Sequence, residues 1–374
     1  MIWRHYDDDL LSMLPETVSF LNRTFGVPGA DSVWSEEYFK WKLGNSNPAG
    51  SGHLSIALCE GEVVGTMSIT RKRLLIDGKL VVAGEIGDSF SSPAVRRRGK
   101  PFDLISLDSN PNSYLNKSVF GRLATEVQLR AEANGIEIIY GTPNSNAYPG
   151  WTNKLGYFEI DQQDFTYYVR PRAEGIVRQY PKFSGIKRLL VPLDNFVTSV
   201  IKNCYSINNN RCIFDPVRPS CEKIDELWEN TKPLSGFNFV RDASYWKHRY
   251  VDRPSVEYIY FSIIRDNQLC GIVVARSYVS LDLKKTISVT EWMINSEVPL
   301  NWLLAELMYY FCDHNAEIIS IYADKNVIKP VVLIKNLFFP RVSIPVIYSN
   351  SIRAKELQSY GCSFNFYLGN TDAV

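Results

Sequence analysis

The sequence predicts an α+β protein of two lobes, each a mixed, mostly antiparallel sheet flanked by helices. Three observations lead there. The 374 residues exceed one ordinary domain and suit two of about 150–200 residues each. Short apolar runs bounded by Gly-containing turns alternate with segments of helical period. The order of elements in the first half recurs in the second, with an aromatic motif repeated at an offset of about 207 residues.

Asp31 or Ser35 can cap a helix carrying Tyr38, Phe39 and Trp41 that ends near Gly44. Asn47-Pro48 and Gly50-Ser51-Gly52 form a loop. Strands over 54–60 and 63–71 meet at Glu60-Gly61, which reads as a hairpin turn, and Asp77-Gly78 marks a second hairpin feeding a strand over 80–90. A basic, Gly-containing turn follows, then a largely polar stretch over 101–117. A helix over 119–134 is stopped by Gly135, 136–140 is a short buried strand, and a polar loop leads to a strand over 157–169. These elements form a first lobe over 1–170. A connector over 171–218 holds Pro171, Pro181, Pro192, Pro216 and the run Asn208-Asn209-Asn210, with one apolar helix near 191–202. The second lobe, 219–374, opens on Asp242 to Arg249, which echoes Ser35 to Lys42, and Arg253-Pro254 stands where Asn47-Pro48 stood. The segment Glu60 to Gly65 is matched by Arg265 to Gly271.

Composition excludes several classes. At 45% hydrophobic and 22% charged, the chain is an ordinary globular one, neither disordered nor fibrous. A net charge of +1 gives no reason to expect nucleic acid or a membrane as partner, though it leaves room for local basic patches. The first residues lack the pattern of a signal peptide, and apolar runs such as 307–312 fall far short of the roughly 20 residues of a membrane helix. The seven cysteines are scattered without C-x-x-C pairs, so zinc is not expected and a reducing, cytoplasmic location is. The four histidines form no ligand pair at helical spacing, and no metal is expected.

The most informative segment runs from Gly84 to Lys100. A strand carrying Glu85 and Asp88 enters a turn of Arg96, Arg97, Arg98, Gly99 and Lys100, with a helix beyond. Such a turn can aim backbone N–H groups at an anion while the helix N-terminus adds partial positive charge, and a pyrophosphate suits it. A solvated basic turn is the plainer reading of the same residues. Further on comes Tyr140-Gly141-Thr142-Pro143-Asn144-Ser145-Asn146-Ala147-Tyr148-Pro149-Gly150-Trp151, then Asn153-Lys154-Leu155-Gly156-Tyr157.

Over roughly 30–170 these motifs resemble the GNAT superfamily of N-acetyltransferases. That family's turn, Gln/Arg-x-x-Gly-x-Gly/Ala, follows the fourth strand and binds the CoA pyrophosphate; Arg96 to Gly99 matches its first part. Asn144, Ala147, Lys154, Gly156 and Tyr157 resemble a later family pattern. The resemblance implies an acyl-CoA co-substrate held by the N–H groups of Ser89 and Phe90, by the turn, and by Asn144, Asn146 and Lys154. It implies direct attack of an amine on a thioester. Two departures stand out. Residues 101–117 intervene between turn and helix, as a substrate lid or a surface loop. Trp151 occupies the place where many members carry a general-acid Tyr; Tyr148 takes that role, or the thiolate leaves without an acid. Asp88 and Glu85 are the candidate bases. Their spacing of three puts them on opposite faces of an ideal strand, so only one faces the amine unless a bulge intervenes. Alternatively, both are structural and water takes the proton.

Trp34, Tyr38, Trp41, Tyr245 and Trp246 can stack a flat ring such as a base or pack a core, and Lys42 and Arg249 can reach phosphates or lie solvated. The loop from Tyr140 to Gly150, the two-lobe length and the ending Gly369-Asn370-Thr371-Asp372 resemble bacterial tandem-lobe sugar N-acyltransferases. That resemblance implies a nucleotide-linked amino-sugar acceptor, such as a dTDP-3-amino-3,6-dideoxyhexose, acylated in a ternary complex for surface polysaccharide. The second lobe has no basic Gly turn after its strand over 288–294, and is expected to wall a cleft rather than bind CoA. Rival readings are a tandem-lobe aminoacyl transferase using tRNA, an acetyltransferase for another amine or a protein, and a non-catalytic CoA- or nucleotide-binding module.

Overall fold

The computed structural model describes residues 2–5, 13–25, 34–96, 118–159, 165–206, 212–233, 237–279, 284–324, 329–349, 351 and 354–355. In the first half the order is β1 (Ile2–His5), α1 (Leu14–Phe25), α2 (Glu36–Leu43), β2 (His53–Cys59), β3 (Glu62–Ile76), β4 (Lys79–Ser91), α3 (Pro93–Arg96), α4 (Val119–Ala133), β5 (Ile138–Gly141), α5 (Tyr148–Leu155), β6 (Phe158–Glu159) and β7 (Phe165–Pro171). Then come α6 (Ala173–Gln179), a 3₁₀ turn (Pro181–Ile186), α7 (Lys187–Ser206), β8 (Cys212–Asp215), α8 (Cys221–Thr231) and β9 (Phe237–Phe239). The chain continues with α9 (Ala243–Trp246), extended by a π-turn (Lys247–Val251), β10 (Tyr258–Arg265), β11 (Gln268–Val279), β12 (Lys285–Ile294), α10 (Leu300–Asp313), β13 (Ile318–Asp324), α11 (Pro330–Lys335), β14 (Phe339–Ile344) and β15 (Ile347–Tyr348).

Local chemistry sets the boundaries. Ser35 caps α2 by accepting from Tyr38 N–H at 3.1 Å, and Asp242 caps α9 by accepting from Tyr245 N–H at 2.9 Å. The hairpins turn at Glu60-Gly61 (φ 53° and 85°), Asp77-Gly78 (47° and 75°) and Asp266-Asn267 (49° and 64°), the paired positive φ of tight hairpins. No described helix is long and apolar enough to cross a membrane.

Two sheets result. The first has the order β1-β2-β3-β4-β5-β15-β6, with β9 also on β3; the second has the order β14-β7-β13-β12-β11-β10-β8. Within them, β4–β5 and β12–β13 are parallel pairs. On one face of the first sheet, Leu54 and Ile56 pack with Leu14, Phe20 and Phe39 of α1 and α2. On the other, Met67, Ile69 and Ile139 pack with Leu123 and Val127 of α4. Phe261, Val273 and Ile319 of the second sheet pack with Leu303, Leu307 and Phe311 of α10. Burial of each such side chain contributes about 1.5–3 kcal/mol.

The lobes exchange strands on either side of residue 170. The strand expected over 157–169 is two strands that join different sheets: β6 stays in the first, while β7 lies between β13 and β14 of the second. In return β15, from the end of the chain, inserts between β5 and β6. Alternation along a strand fixes which face is buried but not which neighbour it pairs with. The connector is correspondingly structured: Arg172 Nε pairs with Asp194 at 2.8 Å and ties α7 to the end of β7.

The repeated motif meets itself. Trp41 and His248 occupy the same place in the two copies; Trp41 Nε1–H donates to His248 O at 2.8 Å, and their rings stack at 5.1 Å and 18°. Equivalent residues in mutual contact are what a local two-fold relation between lobes produces.

Candidate active site between the lobes

The site begins with an irregularity in β4. Gly65 pairs with Ser91 and Thr66 with Phe90, but the next registered pair is Ser68 with Gly87, so Asp88 and Ser89 together oppose Met67. This is a β-bulge. Asp88 adopts φ 46°, left-handed for a residue with a Cβ, and Thr66 Oγ1 donates to its carbonyl at 2.8 Å. The bulge cancels the alternation that would separate Glu85 from Asp88. A Cβ added at Gly87, two residues from Glu85 and on its face, would lie 2.6 Å from Lys42 Nζ, which itself binds Asp88 Oδ2 at 2.8 Å. Ser68 Oγ–H donates to the same oxygen at 2.7 Å. Glu85 pairs with Lys72 at 3.2 Å. Both carboxylates therefore face one side, each beside a buried lysine.

Beside the bulge the sheet opens. β4 and β5 pair in parallel at Ala83–Ile138, Gly84–Ile139 and Glu85–Tyr140 and no further, although β4 runs on to Ser91. The wedge beyond Glu85 leaves one edge of the bulged segment without a partner strand among the described residues.

On the face carrying the lysines lies a cleft between α2, the loop at Asn47, the polar part of β3 and the Tyr245–Arg249 segment. Its walls are cationic: Lys42, Arg71, Lys72, Arg73 and Arg249. Arg73 bridges to the other lobe through Asp242, at 2.7 and 2.9 Å. Burial pushes the Asp242 carboxyl up, but hydrogen bonds from Arg73, Tyr245 N–H and Ser244, with the charge of Arg73, bring it below its ordinary value. Arg71 donates to Asn134 O at 2.8 Å and pairs with no carboxylate among the described residues. In the second lobe Glu291 is wholly buried; it accepts from Tyr245 and Tyr250 hydroxyls at 2.6 and 2.5 Å and lies 3.6 Å from Arg241. Burial raises its carboxyl above the ordinary range, with Arg241 and the two phenols acting against that. Among the described residues no group of three His, Cys, Asp or Glu side chains is placed to hold a metal.

A Saccharomyces cerevisiae N-myristoyltransferase with bound myristoyl-CoA matches over 93% of this chain and 82% of its own, at TM-score 0.57 and 11% identity. A GCN5-related N-acetyltransferase from Anabaena variabilis ATCC 29413 matches over 93% and 72%, at 0.55 and 12%. A conserved protein from Enterococcus faecalis V583, described as a probable N-acyltransferase, matches over 93% and 72%, at 0.56 and 12%. The chain has the two-lobe α+β fold of these proteins. No protein-family model matches it, and no curated protein matches it in sequence.

The sequence-predicted residues distribute unevenly over this fold. Lys42, Trp41, Tyr245 and Arg249 line the cleft. Lys42 and Arg249, for which both phosphate contact and solvation stood open, are each only 2% exposed. Tyr38 is buried beside them, whereas Trp246 packs into the second-lobe core and Trp34 sits edge-on to Phe90 at 5.2 Å. Trp151 is core, packed on Phe120 and Tyr157. Tyr148 hydrogen-bonds Glu159, and that bond first, with burial and the Glu159 charge, raises its phenol above the ordinary value. Asn144 Oδ1 accepts from the N–H groups of Asn146 and Ala147, shaping the entry to α5; Asn146 and Lys154 are exposed. Ser89 and Phe90 follow the bulge, and Phe90 packs on Phe25 at 4.5 Å. Arg96 ends α3, while Arg97, Arg98, Gly99, Lys100 and the 101–117 insertion lie outside the described residues.

Sequence reasoning missed Ser68, Lys72, Arg73 and His248. A signal existed: Thr66, Ser68, Thr70 and Lys72 alternate along β3 and are all buried, a polar face turned inward.

Proposed function

We propose that the chain is an acyl-CoA-dependent N-acyltransferase, with the donor along the β4–β5 wedge and the acceptor amine entering from the inter-lobe cleft. The observation that carries this is the bulge at Asp88, which sets a carboxylate and backbone N–H groups at the mouth of the wedge, next to a cationic cleft. The fold shared with an N-myristoyltransferase bound to myristoyl-CoA and with an N-acetyltransferase supports it.

In this reading the amine nitrogen attacks the thioester carbonyl carbon, the C–S bond breaks, CoA leaves as thiolate and the amine gives up a proton. N–H groups at Ser89 and Phe90 stabilise the developing oxyanion, worth about 3–4 kcal/mol. Holding two substrates in line supplies roughly 7–11 kcal/mol, so positioning dominates. A base adds about 3–5 kcal/mol. Asp88 fills that role: Lys42 and Ser68 both bind Oδ2, which leaves Oδ1 to take the proton. Glu85, held by Lys72, is a structural partner. Tyr148 is engaged with Glu159 and Trp151 with the core, so the thiolate leaves without a dedicated acid. The basic turn at Arg96 to Lys100 takes the CoA pyrophosphate.

For the acceptor, the resemblance to tandem-lobe sugar N-acyltransferases favours a nucleotide-linked amino sugar of the dTDP-3-amino-3,6-dideoxyhexose type, and the cationic cleft supports a phosphate-bearing molecule. The acyl group is acetyl or a longer one. The test is release of free CoA thiol from acetyl-CoA and longer acyl-CoAs with such sugars present. Acceptor-dependent thiol release with N-acyl product supports the reading; no transfer to any amine across the panel overturns it.

A further inference from the structure

The α7 helix has one face that the fold buries and another, also apolar, that it leaves open. On the inner face Thr198 is 1% exposed and accepts from Arg170 Nη2–H at 2.8 Å. Ile201 and Tyr205 pack on the α10 core, and Asp194 is held by Arg172 at 2.8 Å. On the outer face Leu189, Leu193, Phe196 and Val200 recur every three or four residues, which puts them on one stripe. Ile186, just before the helix, continues the spacing, and the five side chains are between 41% and 73% exposed. Single apolar residues on a surface are ordinary, but a continuous stripe over about four turns marks a surface that something covers.

The charge around the stripe is one-sided. Residues 175–214 hold six Lys or Arg and a single acidic residue, Asp194, in a chain whose net charge is +1. Arg178 pairs with Glu317 and Lys202 with Glu306, each at 3.0 Å. Lys182, Lys187 and Arg188 are exposed and pair with no carboxylate among the described residues; Lys182 lies over the Phe183 ring at 5.3 Å. All three stand at the N-terminal end of the stripe. The first turn of α7 has no acidic residue, so the positive end of the helix dipole adds to their charge. Tyr180, 46% exposed, lies edge-on to Phe183 beside them. The near-neutral whole chain conceals this local excess.

An apolar stripe, cations at one end and an exposed aromatic ring are the parts of a helix that lies in a membrane interface. Its apolar side enters the acyl boundary while lysine and arginine reach the headgroups. A second copy of the chain suits the surface less well, because its α7 offers no free carboxylate to meet Lys187 and Arg188: Asp194, the one acid of the helix, is committed to Arg172. The orientation also fits. α7 packs with the face of the second sheet that carries Phe261, Val273 and Ile319, whereas the face carrying Ile272 and Val274 packs on Trp246 and reaches the first lobe through Leu75. Docking through α7 therefore keeps the inter-lobe cleft on the side of the sheet away from the bilayer.

We propose that the exposed stripe of α7, with Lys182, Lys187 and Arg188, docks the protein peripherally on an anionic lipid surface. The proposal is independent of the acyl-transfer reading.

The test is co-sedimentation of the full chain with vesicles of equal parts phosphatidylglycerol and phosphatidylcholine, and with vesicles of phosphatidylcholine alone. The expected result is binding to the anionic vesicles that salt weakens, with binding to the neutral vesicles weaker by about ten-fold or more. Lys187→Gln combined with Arg188→Gln removes two cations and should weaken anionic binding about thirty-fold. Leu193→Ser combined with Phe196→Ser should weaken it about ten-fold or more. Circular dichroism and the unfolding midpoint should stay close to the parent's in both, because all four side chains are exposed. If the double serine variant does not fold, Leu189→Ser, at a position 73% exposed, takes its place. Absence of binding to either vesicle, or anionic binding that both double variants retain, overturns the proposal. Equal binding to both vesicles overturns the anionic assignment. A chain that binds no vesicle but is a dimer by light scattering, dissociated by the double serine variant, would assign the stripe to a second copy instead.

Discussion

Lys42 and Asp88 offer the sharpest energetic test. Their side chains are 2% and 6% exposed and 2.8 Å apart, so replacing Lys42 by Met strands a carboxylate that, among the described residues, keeps the Ser68 hydroxyl alone. Removing one member of a buried pair typically costs about 3–5 kcal/mol, far more than the pair is worth against two neutral residues. Asp88→Asn is the right second change, because Asn tolerates the φ of 46° at this position and can still accept from Ser68. The two single variants should each lose several kcal/mol in denaturant unfolding followed by Trp fluorescence, roughly 3–5 for Lys42→Met. The double variant should lose much less than their sum, a coupling of about 2–3 kcal/mol. Additive losses, or a Lys42→Met variant within about 0.5 kcal/mol of the parent, would refute a buried, mutually dependent pair.

Three other outcomes follow from the same geometry. Asp88→Asn should lower turnover about 10²- to 10³-fold while leaving CoA affinity nearly intact, and near-normal turnover would remove Asp88 as base. Glu291 has a folded-state value above its ordinary 4.5, so its contribution to stability is present at low pH and is lost as pH rises through the raised value. Unfolding midpoints taken from about pH 4 upward should therefore move in favour of Glu291→Gln relative to the parent as pH rises, and parallel curves would contradict the burial argument. Trp41→Phe removes the buried donor to His248 O and should cost about 1–3 kcal/mol in denaturant unfolding; a neutral change would mean that this inter-lobe bond carries nothing.

Much of the architecture could be read from residues whose chemistry is local. Glu60-Gly61 and Asp77-Gly78 turn where their positive φ requires, and Gly135, at φ 85°, follows the α4 helix. The 207-residue offset between Trp41 and His248 is both a sequence repeat and a spatial contact. What stayed hidden depended on partners distant in sequence. Nothing in Phe165 to Pro171 marks it for the second sheet, because its alternation suits either. The bulge at Asp88 has no glycine or proline at its left-handed residue to announce it. Lys42 and Arg249 could be read as solvated charges because their burial depends on partners distant in sequence, Asp88 for Lys42 and the Trp41 ring for Arg249. Tyr38 and Trp246 belong to packed cores, as their helical spacing equally allowed.

Calorimetric titration with CoA, followed by a separate titration with dTDP, tests the central claim most directly. The account predicts that both bind in the micromolar range, each at one site. If CoA binds and dTDP does not, the acyl transfer stands and the nucleotide-linked acceptor is wrong. Absence of CoA binding would contradict the account at its base.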